Sequence, residues 1–188
     1  AQSGHMEAVG YDLYCKMLNE AVLKLKGGEE AEIFQTTIDI NTDAYIPDAY
    51  IRNENQKLDI YKRIAAIETE EDMDDMTEAL IDRFADIPKN VQQLLHIAAL
   101  KNLAHAAYVT SVEQKGDSIR FVMYEKAKID PAGIPSMLAA YGRDLVYRTE
   151  DPPFFLYRRA GRSGRDVQEN VLDTVKRILE DIRGLALT

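Results

Sequence analysis

Hydrophobic residues recur every three or four positions over some stretches of the chain and every second position over others, and these two periods divide it into helices and strands. Val9, Leu13, Met17, Ala21 and Leu25 stand four apart and trace one side of a helix that Gly27-Gly28 ends. The polar run containing Glu29, Glu30 and Glu32 then reads as a linker. An amphipathic helix this isolated is either an arm folded on the main body or the remnant of an upstream domain. Ile38 and Ile40 alternate with polar neighbours and predict a strand up to the turn around Pro47.

Three helices are expected next. Asn53 caps the first, with Gln56 at its third position and Leu58, Tyr61, Ile64 and Ala65 pointing inward. Thr69 caps the second, its hydroxyl placed to accept from the amide of Asp72, while Glu70, Glu71 and Asp72 favour the positive end of the helix dipole. Pro88 opens a third that runs to about Ala107 with an apolar arc wide enough to be central in the core. A hairpin follows, Val109–Gln114 and Ser118–Tyr124 around Lys115-Gly116-Asp117. Pro131 starts a short helix closed by Gly142, and Leu145–Tyr147 and Phe154–Tyr157 read as strands around Pro152-Pro153. Val167, Val171, Leu172, Val175, Ile178, Leu179 and Ile182 form one stripe on a closing helix. Strands do not alternate with helices as a doubly wound sheet requires. The fold class expected is α+β: helices packed with a small antiparallel sheet, a long amphipathic C-terminal helix and an extra N-terminal helical arm.

Charge changes the picture more than composition does. A chain of 188 residues, 46% of them apolar, is long enough for a real core in one domain with an appendage or in two small domains. No apolar run approaches the roughly 18–20 residues that cross a bilayer, no basic segment leads into an apolar one so no secretory signal is expected, and the single cysteine, Cys15, excludes an internal disulfide framework. A cytoplasmic location is expected. The net charge of −9 is concentrated: residues 29–86 hold 17 acids against 5 bases, whereas residues 87–188 hold 12 against 15. So acidic a middle section repels phosphate backbones, so direct nucleic-acid binding is disfavoured and a basic protein is the matching partner.

Catalytic and metal chemistry finds little support. His96 and His105 are nine residues apart on one helix, not the four that pair metal ligands, and His5 and Cys15 have no complementary neighbour in sequence. Gly161–Arg165 (GRSGR) lacks the spacing of a phosphate loop and reads as a turn before the last helix. Asp72, Asp74 and Asp75 lack the glycine and distal glutamate of a calcium loop. No cofactor and no metal are expected.

The helix from Thr69 to Asp86 is the informative segment. With Met73 set at zero and about 100° per residue, Met76, Leu80 and Phe84 fall within about 60° of it, whereas Glu71, Asp75, Glu78 and Asp82 fall at about 140–200°. Four carboxylates therefore stack along one line, at a cost of a few tenths of a kcal/mol per like-charged pair. Arg83 lies off that line. A solvated face and a docking face both fit this spacing.

The run from Asp43 to Pro88 resembles the C-terminal domain of bacterial transcription-repair coupling factors, through IPDAYI (Ile46–Ile51), LDIYKRIA (Leu58–Ala65) and LIDRF (Leu80–Phe84) with a proline four residues on. The likeness continues more loosely through Ile182, and Gln2–Tyr14 is similar to the tail of that family's translocase motor. It implies three parts: residues 1–28 as a helical remnant of the motor, 29–37 as a linker, and 38–184 as a C-terminal regulatory domain. The parent so implied is an ATP-dependent double-stranded-DNA translocase, with ATP and Mg in its motor, that displaces stalled RNA polymerase and recruits excision repair. The domain itself is implied to be non-catalytic and to fold back on a UvrB-like module of the same chain, masking the surface that binds UvrA. Partner-docking residues are then Asp82, Glu78, Asp75, Glu71 and Arg83. Two positions depart from the family pattern: Ala79 stands where an acid is usual, with Glu78 one place earlier on the exposed line, and Ala85 replaces the glycine after the DRF triplet. The alternative is a recruitment module that binds another repair or transcription protein through the same acidic face.

Overall fold

A computed structural model of the chain describes residues 34–158 and 171–187. The N-terminal arm, Cys15, His5 and Gly161–Arg165 lie outside the described residues. Two compact units are present: Thr42–Ala99, and Phe34–Asn41 with the chain from Leu100 onward.

The first unit contains helices α1 (Glu54–Ala65) and α2 (Glu70–Phe84), and helix α3 (Lys89–Ala106) begins in it. IPDAYI forms a tight turn in which the amides of Tyr50 and Ile51 both donate to the carbonyl of Pro47. Ile46 and Ile51 are fully buried on either side of it. Burying an extended segment strands its amides unless something inside accepts them. Here the hydroxyl of Tyr61 on α1 accepts from the amide of Ile46 at 2.9 Å. Asn53 caps α1 by accepting from the amide of Gln56 at 3.0 Å, as its position in sequence predicts.

Both ends of α2 are fixed locally. At the start, Thr69 Oγ1 accepts from the amide of Asp72 at 3.0 Å, and Asp72 Oδ2 accepts in return from the amides of Glu68 (3.0 Å) and Thr69 (3.2 Å). These backbone donors, Glu68 first and Thr69 second, hold the Asp72 carboxyl below its ordinary value. At the end, Ala85 sits at φ +66°, ψ −153°, its amide still donating to Ile81. That region is open to glycine and strained for a side chain. The turn that the resemblance assigns to glycine is therefore kept, and Ala85 bears the strain.

The second unit is built on a five-stranded sheet in the order β1-β2-β3-β5-β4, from β1 (Thr37–Asp39), β2 (Val109–Lys115), β3 (Ser118–Met123), β4 (Leu145–Arg148) and β5 (Phe154–Arg158). The four later strands pair antiparallel, as expected. β1 departs from expectation: it is only three residues long and runs parallel to β2, Ile38 opposite Val112. Three helices intervene between β1 and β2, so no hairpin dictates their direction. One face of the sheet is buried through Val112, Ile119, Phe121, Phe155 and Tyr157. Helix α5 (Val171–Arg183) lies on that side, its first turn sharing a cavity of about 130 Å³ with Ile119 and Tyr157. Val175, Ile178, Leu179 and Ile182 are its buried stripe. The short helix expected after Pro131 forms as a 3-10 turn, Pro131–Gly133, leading into α4 (Ile134–Ala139). Beyond it Tyr141 donates to Asp181 of α5 beneath the Arg177 guanidinium, and burial, then the Asp181 contact, pushes the phenol well above its usual value.

Three stability measurements check these local assignments. Tyr61→Phe leaves the buried Ile46 amide without its acceptor and should lower the unfolding free energy in urea by roughly 1–3 kcal/mol; an unchanged midpoint contradicts that role. Ala85→Gly should raise stability by about 1 kcal/mol by releasing strain, whereas a loss would mean that the backbone there is unstrained. A carboxyl held low in the folded state contributes stability that is complete above the unfolded pKa and is lost as pH falls through the folded one. The gap in stability between the wild type and Asp72→Asn should therefore be full at neutral pH and close below about pH 4; a gap constant through the acid limb contradicts it.

Candidate docking face

Burial divides α2 as its wheel predicts. Met76 and Leu80 are buried, Met73 and Phe84 are half-buried, and Glu71, Asp75, Glu78 and Asp82 are all exposed along the opposite side. Among the described residues no cation lies within ion-pair distance of these four carboxylates; the ion pair of the first unit is Lys57 with Asp48. Arg83, the basic residue of the last turn, directs its guanidinium over the ring of Phe84, 5.0 Å from the centroid. It stands apart from the acidic line and makes no ion pair with it. Ala79 is half-buried and Glu78 exposed, so the carboxylate of this turn is the one supplied by Glu78.

The motifs behind the resemblance meet at the end of α2. The ring of Tyr50, from IPDAYI, packs on Phe84 of LIDRF with centroids 5.6 Å apart, and its hydroxyl donates to the Leu80 carbonyl at 3.4 Å. Burial raises the phenol pKa of Tyr50, consistent with a hydroxyl that serves as a donor. The Tyr50 ring and hydroxyl thus hold the last turn of α2 at Phe84 and Leu80.

Ile81 was not singled out by the spacing argument, yet it is one of the two large apolar side chains most exposed among the described residues, at 48%. It stands next to Asp82 and three residues from Glu78. The wheel holds the signal: Ile81 falls at about 80°, beyond Phe84 at about 20° and so outside the buried arc. Single exposed apolar side chains are common on protein surfaces, so Ile81 acquires meaning only from the carboxylates beside it. Toward the start of the helix, Asp72, Asp75 and Met76 line a shallow concavity of about 240 Å³ with Arg63, Ala66 and Ile67. Among the described residues no group of three or more His, Cys, Asp or Glu could hold a metal ion, and no helix is long and apolar enough to cross a membrane. The arrangement is suited to binding a basic surface.

Comparison with known proteins bears on what that surface belongs to. A family model described as the TRCF domain matches residues 40–134, which includes the tight turn and all of α1 and α2. The transcription-repair-coupling factor of Bacillus subtilis (strain 168) is 34% identical over 186 residues, covering 97% of this chain and 16% of that protein. That of Staphylococcus haemolyticus (strain JCSC1435) is 41% identical over 128 residues, covering 67% of this chain and 11% of that protein. The chain thus spans less than a fifth of the length of these relatives. A crystal structure of the C-terminal domain of transcription-repair coupling factor shares the fold, with a TM-score of 0.65 at 23% identity over 80% of this chain and 94% of that one. With the family model matching half of its length, on the turn and helices that build the acidic face, the chain belongs to the TRCF domain family.

Proposed function

We propose that this chain is a non-catalytic regulatory module of a transcription-repair coupling factor, which docks through the acidic face of α2 on a UvrB-like module of the same parent chain and masks the surface that binds UvrA. The observation behind this reading is the line Glu71, Asp75, Glu78 and Asp82, exposed and without an ion pair among the described residues, on a helix whose other side is buried. Such a line is unfavourable for the isolated helix and becomes favourable against a basic partner. Each rim charge pair adds about 0.2–1 kcal/mol and mainly sets orientation and salt sensitivity. Ile81 would supply the desolvated centre.

A clamp of this kind holds by a few kcal/mol, since it has to open when the parent engages its partners. ATP hydrolysis, translocation along DNA and displacement of stalled RNA polymerase belong, in this reading, to the motor of the parent. Repair factors are then met through the surface that the clamp covers. In the full-length parent, Asp82→Lys combined with Glu78→Lys should increase UvrA binding, with the circular dichroism of this domain unchanged. UvrA binding that stays at the wild-type level would leave the face merely solvated.

A further inference from the structure

The five-stranded sheet has a second face, and over β3, β5 and β4 its charge is opposite to that of α2. On β3, Ser118, Arg120 and Val122 alternate with the buried Ile119, Phe121 and Met123 and therefore point away from α5. The ladders place Leu156 opposite Arg120, Arg158 opposite Ser118, and Val146 opposite Leu156, while Phe154 stands between Val122 and Arg148. The outward positions of these three strands thus hold three arginines, all exposed, with the half-buried Val122, Leu156 and Val146 among them; the carboxylates bordering the patch are Glu113 on β2, across from Arg120, and Asp144, whose carbonyl accepts from the Arg158 amide. Strands lie about 4.8 Å apart, so the three guanidiniums share a patch roughly 15 Å across. At low ionic strength, where the screening length reaches about 30 Å, their fields add; at physiological salt it is about 8 Å and each acts largely alone.

Arg120 is held in a defined position. An acid, Glu113, stands directly across the ladder from it, yet the Arg120 guanidinium lies over the ring of Phe154, 4.5 Å from the centroid. Glu113 instead accepts from Ser111 Oγ at 3.2 Å. Stacking fixes the plane of a guanidinium and leaves its edge donors free. Arg158 is steadied in turn by a bond from its Nε to Ser118 Oγ at 3.3 Å.

We infer that this outer face docks an acidic protein segment that places an apolar side chain between its carboxylates. Charge complementarity selects the sign of the partner. The apolar row selects protein over nucleic acid, because a phosphate backbone has no use for Val122, Leu156 and Val146. Base stacking needs an open ring, and Phe154 is only 8% exposed, with Arg120 over it. The face lies in the second unit, away in sequence from α2, so it adds to the docking reading and does not depend on it.

The test uses the 188-residue chain and, as probes, a labelled synthetic peptide of alternating glutamate and leucine, its glutamine counterpart and a single-stranded oligonucleotide, at low salt. The glutamate peptide should bind, with amide shifts on β3, β4 and β5, and added salt should release it. Arg148→Gln with Arg158→Gln should weaken binding by about tenfold with unchanged circular dichroism. This pair leaves the Arg120–Phe154 stack intact, so it decides the matter even if Arg120→Gln loosens the sheet. Equal binding of the glutamine peptide, an unaffected double variant, or tighter binding of the oligonucleotide would overturn the proposal.

Discussion

Met76 and Leu80 are buried together at only one rotation of α2, because they stand four residues apart on a helix whose opposite side carries four carboxylates. A turn of the helix by even one residue position would carry a carboxylate toward the core, where an unpaired charge costs several kcal/mol. The hydrophobic core therefore sets the direction of the acidic line, and nothing in the line itself has to. The ends are fixed separately: the Thr69–Asp72 capping box sets where the helix begins, and the Tyr50–Phe84 wedge holds the last turn before Ala85. Rotation and length together determine where Glu78, Ile81 and Asp82 project.

Much of this was legible in the residues, for reasons that can be named. The buried and exposed sides of α2 follow from a 3.6-residue period acting on strongly contrasting side chains, and the Thr69 cap follows from local hydrogen-bond chemistry that needs no tertiary partner. The hairpin and α5 were equally plain, since each has a clean period and a turn signal. The parallel β1 was not, because the direction of a three-residue strand is decided by where the chain returns after three helices, a non-local matter. The Tyr50 wedge was hidden for the same reason, as it joins motifs thirty residues apart. Ile81 lies on the flank of the wheel, between the core arc and the acids, where spacing alone assigns it to neither side.

Ala85 and Ala79 mark where this chain differs from the pattern that it resembles, and the two behave differently. At Ala85 the backbone keeps a conformation suited to glycine, so the change is absorbed as local strain at the end of α2. At Ala79, which is half-buried, there is no carboxylate, and the exposed Glu78 one residue earlier lies about 100° away around the helix. Substitutions of this sort alter how strongly a rim holds more than which partner it holds.

The acidic face as a docking surface is tested most directly by mixing the purified 188-residue chain with a separately produced UvrB-like module and following association calorimetrically over a series of salt concentrations. Binding at low salt that weakens steadily as salt rises is the expected result. No association at low salt would contradict the clamp.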